Sequence, residues 1–549
     1  MNAADVMVRC LENEGVKYIF GLPGEENEDL LMSLAKSSIQ FISTRHEQGA
    51  AFMADVYGRL TGKAGVCLST LGPGATNLIT GVADANLDHA PLVAITGQGS
   101  RERLHKESHQ MLDIVQMFQP ITKWNTVIVA PSIIPEAVRK AFKLAETEKP
   151  GATHIELPED VAKLKAEKEC LPLEIVKLRR PAPDYKALAK ALEFIRQAKK
   201  PVILAGNGAI RKLASKQLRL FVEKTHIPVV STFMGKGAIS DADEHSLFTL
   251  GLQAKDYVTC VFDEADLVIT VGYDIVEYPP EKWNPAGDKK IIHIDFTPAE
   301  VYTQYMPTVE VVADIAYTLW ALNQEIEDNL FPKERASRTH DVLERHVQRD
   351  AGDADFPIKP QFLIAEMRKA LDASDILISD VGAHKIWIGR NYQAYEPNTC
   401  IISNGLASMG IALPGAIAAK LAKPVAKVIA AVGDGGFLMN VQELETAKRL
   451  GVAFTVVIFN DNGYGLIEWK QQLHHKKSFG VTLTNPDFVK LAESFGARGV
   501  RIASVDELRK ALAKAINSDD IWIIDVPVDY QENFKLSDEL SRNTCEIIK

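Results

Sequence analysis

Two aspartates in the last third of the chain, each just beyond a hydrophobic run and with a glycine one or two residues further on, suggest the clearest chemistry. The run ending at Val432 passes into Gly433-Asp434-Gly435-Gly436, and the run Phe454–Phe459 passes into Asn460-Asp461-Asn462-Gly463. Glycines permit the positive φ of a tight turn and let successive backbone N–H groups approach an anion, to which a helix starting near Asn440 would add its N-terminal dipole. The aspartates are 27 residues apart, room for a strand, a helix and a strand. In a parallel βαβ unit the two strand ends lie side by side, so Asp434 and Asp461 can give two oxygen ligands to one Mg²⁺, with diphosphate oxygens filling further positions of an octahedron. An isolated Gly-Asp-Gly more often only caps a turn; the second half at this spacing favours the metal.

A further carboxyl lies in the first third, where Arg45-His46-Glu47-Gln48-Gly49-Ala50-Ala51 follows an apolar run and opens an Ala-rich helix. Alone it is weak, since a Glu in a first turn ordinarily complements the helix dipole. The elements that must position these groups are short β-branched runs alternating with amphipathic stretches, the pattern of parallel sheets covered by helices, so the fold class is α/β. Strands are expected at Lys17–Phe20, Ile39–Thr44, Val66–Thr70 and Pro91–Thr96, each ending in a Gly-rich or polar loop. Ligands bind beyond the C-terminal ends of such strands, which puts Gly21–Gly24, Arg45–Ala50, Leu71–Asn77 and Thr96–Ser100 on one edge. A charged, Pro-interrupted run, Lys163–Pro183, reads as a linker, and polar sequence from Asp328 to Pro357 separates a third block. Three domains of parallel sheet flanked by helices follow, at residues 1–165, 185–345 and 357–549.

The chain of 549 residues, 46% hydrophobic and 24% charged, is too long for one core and too apolar for a largely disordered, collagen-like or coiled-coil protein. Its net charge of −10 offers no basic patch for nucleic acid or anionic membrane. Six cysteines without a CxxC pair suggest neither a zinc ribbon nor a dense disulfide framework and fit a reducing cytoplasm. Met1–Lys17 lacks the apolar core of a signal peptide, and no run approaches the ~20 apolar residues of a membrane span. A cytoplasmic enzyme acting on a small molecule is the expectation.

Gly-Asp-Gly followed at this distance by Asn-Asp-Asn resembles the signature of the thiamine diphosphate (ThDP) enzymes, in which an Asp, an Asn or Asp, and a backbone carbonyl two residues on hold Mg²⁺ against the diphosphate. By that resemblance the carbonyl is that of Gly463, and Glu47 is the carboxyl that activates the aminopyrimidine ring at N1′. With Gly21–Gly24, Leu71–Asn77, Ser108–Lys123, Ser379–Trp387, Ser403–Ile417, Gly433–Arg449, Leu491–Ala497 and Ile523–Tyr530, the likeness spans nearly the whole chain and is nearest to the acetolactate synthases. It implies that Pro23 and Gly24 approach the cofactor, that Ala407 gives a main-chain contact to the pyrimidine, and that Met409 wedges under the two rings. It assigns Ala383, His384, Gly433, Gly435 and Gly436 to the diphosphate, followed by Tyr464, Gly465 and Leu466 after the metal loop. His109 and Gln110 match a catalytic pair on the substrate side, and Val381, Leu466 and Trp469 form apolar walls. A lone His or Met is otherwise most often structural. Ala407 replaces the usual Gly, which a negative φ would tolerate.

Val271–Asn284 looks like the catabolic, flavin-free type, lacking the arginine of the flavin-containing enzymes, so FAD is not expected. Glu25 stands where the synthases carry small or basic residues, and Lys470 where they carry Trp or Gln, so both bear on the substrate. The implied activity joins two molecules of the 2-oxo acid pyruvate into 2-acetolactate with loss of CO₂; the alternative is a 2-oxo acid decarboxylase releasing an aldehyde. A catalytically dead binding subunit is argued against by intact Glu47, Asp434 and Asp461. The resemblance also implies a homodimer or homotetramer with active sites between subunits.

Overall fold

The computed structural model describes residues 1–549 apart from 168–169, 177–179, 212, 252–254, 543–544 and 546–549; the linker run Lys163–Pro183 lies partly outside the described residues. Three six-stranded sheets follow one another along the chain. The first holds β1 (Tyr18–Gly21), β2 (Gln40–Ser43), β3 (Gly65–Ser69), β4 (Leu92–Gln98), β5 (Trp124–Val127) and β6 (Ala152–Pro158). The second holds β7 (Pro201–Ala205), β8 (Val229–Ser231), β9 (Ser246–Thr249), β10 (Leu267–Val271), β11 (Lys290–Asp295) and β12 (Val309–Val312). The third holds β13 (Ile376–Ser379), β14 (Cys400–Ile402), β15 (Val428–Gly433), β16 (Thr455–Asn460), β17 (Arg498–Arg501) and β18 (Trp522–Pro527). Every pairing between these strands is parallel. Strands such as β3, β4, β7 and β16 are buried at every position, as continuous apolar runs between two layers of helices must be.

Sequence alone left open whether the first and third blocks share a fold. They do: the order β2-β1-β3-β4-β6-β5 is repeated as β14-β13-β15-β16-β18-β17, whereas the central sheet runs β12-β11-β10-β7-β8-β9. In each sheet the strand order reverses at one crevice, β1 beside β3, β7 beside β10 and β13 beside β15, where ligands of such sheets bind.

One core cluster joins the first and third domains, with Phe52, Val56 and Leu78 packed among Leu413, Ile417 and Val456. The helix Glu47–Thr61 crosses the helix Ala412–Ala422 there, and a Cβ on Gly415 would come within 3.0 Å of Val56 Cγ2. The scattered cysteines suggested no pairing, yet Cys260 on the helix Tyr257–Glu264 is bonded to Cys545 near the C-terminus; a separation of 285 residues hides such a pair from any local pattern. Cys10, Cys67, Cys170 and Cys400 are free and buried. Among the described residues no helix is long and apolar enough to cross a membrane.

Candidate active site

Because β15 and β16 pair with Gly433 opposite Phe459, Asp434 and Asp461 stand at neighbouring strand ends. Asp434 accepts the Gly435 N–H at 2.9 Å and the Asn485 amide at 2.6 Å. The same Asn485 Nδ2 donates to Asn460 Oδ1 and Asn462 Oδ1, both at 3.2 Å. Three oxygens thus converge on one donor, an arrangement that also suits a small hard cation. Burial, and then the charge of Asp434, pushes the Asp461 carboxyl up to about 8, and burial raises Asp434 as well. A divalent cation relieves both penalties, so this donor set fits Mg²⁺.

The turn itself corrects two expectations. Gly433 has φ −80°, and Gly435 and Gly436 lie in a short helix, Asp434–Phe437, so no positive φ is needed here. The glycines serve close approach: a Cβ on Gly435 would meet the Tyr464 ring at 2.9 Å and one on Gly436 the Asp380 carboxylate at 3.2 Å. The following helix starts at Glu443 and not near Asn440. Asn462 takes the left-handed conformation, φ 55°, which an Asn tolerates. The loop is fixed by the Tyr464 N–H to Val481 O at 2.9 Å and the Leu483 N–H to Asn462 O at 2.8 Å, which settles Gly463 beside the aspartates. Gly465 leaves room for Asp461 Oδ2 and for the ring of Tyr530.

Beyond β13, Gly382 precedes the helix Ala383–Asn391. Ala383 and His384 are buried, and the His384 ring lies against Gly382 and Gly433. Burial holds the His384 imidazole neutral, down at about 3, and its Nε2 has no partner among the described residues, the mark of a group that something else satisfies. Ala407 has φ +58°. The condition under which an Ala would be tolerated here, a negative φ, is therefore not met, and the glycine usual at this place is explained by backbone conformation. Met409 is half-buried and Gly410, φ +92°, gives its N–H to Asp380 at 2.8 and 3.0 Å. Asp380 also accepts the Val381 N–H at 2.6 Å.

Glu47 is the first residue of its helix, buried, with Asn77 Nδ2 donating to its carboxylate at 2.9 Å. Its neighbours dock on the third domain: Glu443 accepts the Arg45 and His46 N–H groups at 3.0 Å, and Asn440 bonds Gln48 at 3.3 Å. Pro23 and Gly24 lead into a turn of 3₁₀ helix, Glu25–Asn27. Glu25 is exposed, whereas Glu26 accepts the Thr70 hydroxyl at 2.7 Å. His109 and Gln110 are exposed on the same loop, Gln110 packing over Gly72. A cavity of about 680 Å³ beside the metal loop is lined by Asn460, Asp461, Trp469, Arg501, Tyr530 and Phe534 among others. The Trp469 indole is held by Ser537 Oγ at 2.9 Å. Val381, Leu466 and Lys470 are half-buried; burial brings the Lys385 amine down to about 8, and the charge of Lys470 contributes to that. Asn485, Asp380 and Tyr530 escaped assignment from sequence: Asp380 and Tyr530 lie within the stretches Ser379–Trp387 and Ile523–Tyr530 noted there, but no local pattern marks Asn485.

The C-terminal, N-terminal and central domain models of the thiamine pyrophosphate enzymes match residues 380–526, 1–117 and 188–322. An acetolactate synthase of Bacillus subtilis (strain 168) is 38% identical over 100% of this chain and 96% of its own length. The catabolic acetolactate synthase of Raoultella terrigena is 37% identical over 98% of this chain and 97% of its own. A probable acetolactate synthase large subunit of Methanococcus aeolicus is 36% identical over 96% and 92%. These relatives favour a synthase over a decarboxylase, and the chain belongs to the acetolactate synthase family of thiamine pyrophosphate enzymes.

Proposed function

We propose that the chain condenses two molecules of pyruvate into 2-acetolactate and CO₂ with thiamine diphosphate and Mg²⁺ bound. The observation that carries this is the pair of carboxylates, buried Asp434 and half-buried Asp461, at adjacent strand ends, in a chain related to acetolactate synthases from end to end. When bound, ThDP supplies at C2 of its thiazolium ring the electron sink for losing CO₂. Asp434, Asp461 and the Gly463 carbonyl would hold Mg²⁺, with Ala383, His384, Gly433, Gly435 and Gly436 around the diphosphate and Tyr464, Gly465 and Leu466 completing the wall. Pro23, Gly24, Ala407 and Met409 would orient the rings. Glu47 would hold the proton at N1′ of the aminopyrimidine. His109 and Gln110 would face the substrate, and Val381, Trp469 and Lys470 the acceptor, whose carboxylate Lys470 can pair by a charge-assisted hydrogen bond. Glu25 would repel that carboxylate.

The flavin-free reading is supported by Glu277. Its carboxyl accepts the Asn207 N–H at 3.0 and 3.1 Å inside the Gly206-Asn207-Gly208 turn, where a nucleotide phosphate would need those donors. A homodimer or homotetramer with shared sites is supported by Glu25, His109 and Gln110, which lie exposed on a single chain. The three domains are taken as residues 1–165, 185–345 and 357–549, and a cytoplasmic setting, to which the Cys260–Cys545 bond would be an exception, is supported by the four free, buried cysteines.

The test is product analysis after incubation with pyruvate, ThDP and Mg²⁺. Acetolactate is expected as the main product, with the Lys470→Leu variant shifted toward acetaldehyde. Acetaldehyde as the dominant wild-type product would establish a decarboxylase instead.

A further inference from the structure

The loop Ser403–Gly410 carries Ala407 and Met409, the residues read above as the cradle of the pyrimidine ring. It is gripped by carboxylates that touch none of the proposed reacting groups. Asp84, on the helix Pro73–Leu87, and Asp88, just beyond it, reach over from the first domain. Asp88 accepts the N–H of Asn404 at 3.1 Å and that of Gly405, and Gly405 lies so close that a Cβ there would stand 2.6 Å from Asp88 Oδ1. Asp84 accepts the Ser403 hydroxyl at 2.7 Å, and that same oxygen accepts the Ser408 N–H at 3.2 Å, so one hydroxyl ties the start of the loop to its far side. Arg59 pairs with Asp55, Asp84 and Asp88 at 2.5, 3.0 and 2.8 Å. Lys385 donates to the Ser403 carbonyl at 2.9 Å. At the other end Asp380 holds the Gly410 N–H.

Asp55, Asp84 and Asp88 are at most 1% exposed. Burying three carboxylates on one guanidinium is costly, and burial among them, with Asp55 adding to it, lifts Asp84 up to about 7. Between the two grips sits Ala407 at φ +58°, a conformation that disfavours any residue with a Cβ. Left free, the loop would relax out of it.

We propose that Arg59, Asp84 and Asp88 are positioning residues for the cofactor, holding Ser403–Gly405 so that Ala407 is kept left-handed, and Met409 in place, before ThDP arrives. The proposal rests on the reading of Ala407 and Met409 given above. It turns a buried charge cluster of the first domain into part of the third domain's cofactor site.

The test measures ThDP dissociation constants by quenching of tryptophan fluorescence at saturating Mg²⁺, alongside kcat, for wild type, Asp88→Asn, Ala407→Gly and the double variant. An amide at 88 offers one acceptor where two backbone N–H groups need two, so Asp88→Asn should weaken ThDP binding by about tenfold or more, while kcat at saturating ThDP falls less than about threefold. Ala407→Gly should gain more ThDP affinity in that background than in the wild-type chain and recover most of the loss, a coupling that a purely structural role would not produce. Should Asp88→Asn not fold, Ser403→Ala, which removes both bonds of one hydroxyl, takes its place with the same expected pattern. ThDP affinity within about twofold of wild type in Asp88→Asn or its stand-in, or no recovery with Ala407→Gly, overturns the proposal. A wild-type chain that binds no ThDP overturns the proposed function along with it.

Discussion

Two glycine turns, Gly206-Asn207-Gly208 after β7 and Gly433–Gly436 after β15, leave buried strands at the crevices of two parallel sheets, and they have opposite fates. The central turn is closed by its own chain. Glu277 accepts the Asn207 N–H, the Asp274 N–H at 3.2 Å and the Thr232 hydroxyl, and Cβ atoms on Gly206 and Gly208 would meet the backbone of Gly272 at 2.5 and 2.6 Å. The third-domain turn instead gathers two carboxylates that repel one another and the neutral His384, whose buried nitrogen is unsatisfied among the described residues. Glycines after a strand therefore make an anion site only where the rest of the chain leaves the donors open. A segment 70 residues downstream decides the matter for the central turn.

The sharpest way to break this comparison is at the residue meant to use the open site. Glu47→Gln should lower kcat/KM by about 10³-fold while ThDP binding stays within about threefold of wild type, because the Mg²⁺ and diphosphate ligands are untouched. Steady-state kinetics beside a ThDP titration checks this; near-normal turnover would remove Glu47 from its role.

The closed turn gives a smaller, pH-dependent effect. Burial pushes the Glu277 carboxyl up to about 8 from an ordinary 4.5. A raised carboxyl favours the folded state fully below its unfolded value, and that contribution is lost as pH climbs through the folded value. Glu277→Gln carries no such charge, so its stability relative to wild type should improve by about 2 kcal/mol between pH 6.5 and pH 8. Urea unfolding at the two pH values measures it, and a pH-independent difference would contradict the assignment. Smaller again, Ala407→Gly relieves a left-handed alanine and should stabilise the cofactor-free protein by about 1 kcal/mol, read from the same unfolding curves. A loss of stability there would mean that the loop does not hold this conformation.

The sequence made most of the inner strands legible because they are nearly continuous apolar runs, as in Val428–Val432 and Phe454–Phe459. It hid the edge strands β5, β9, β12, β14 and β17 and also the inner strands β6 and β8; Arg498-Gly499-Val500-Arg501 is half exposed and presents no apolar run, and Ala152–Pro158 carries Thr153, His154 and Glu156 among its apolar residues. Asp434 and Asp461 are candidates from short motifs with glycines, whereas Glu47 becomes one only through the family resemblance. Asn485, Asp380, Glu277 and the Arg59 cluster could not be read in either way. Each acts through bonds to segments far away in the chain, and Asp84 reaches Ser403 across 319 residues. The φ of Ala407 was also out of reach, since nothing in its neighbours' side chains sets it.

The central claim, that one glycine turn of this chain takes a diphosphate cofactor and the other is sealed, is tested most directly by what the purified protein retains. Loaded with ThDP, Mg²⁺ and FAD together, then gel-filtered and extracted, wild type should carry about one ThDP per chain and no flavin, and Asp434→Ala should carry neither. Flavin bound in proportion to the chain, or ThDP kept by Asp434→Ala, would contradict the account.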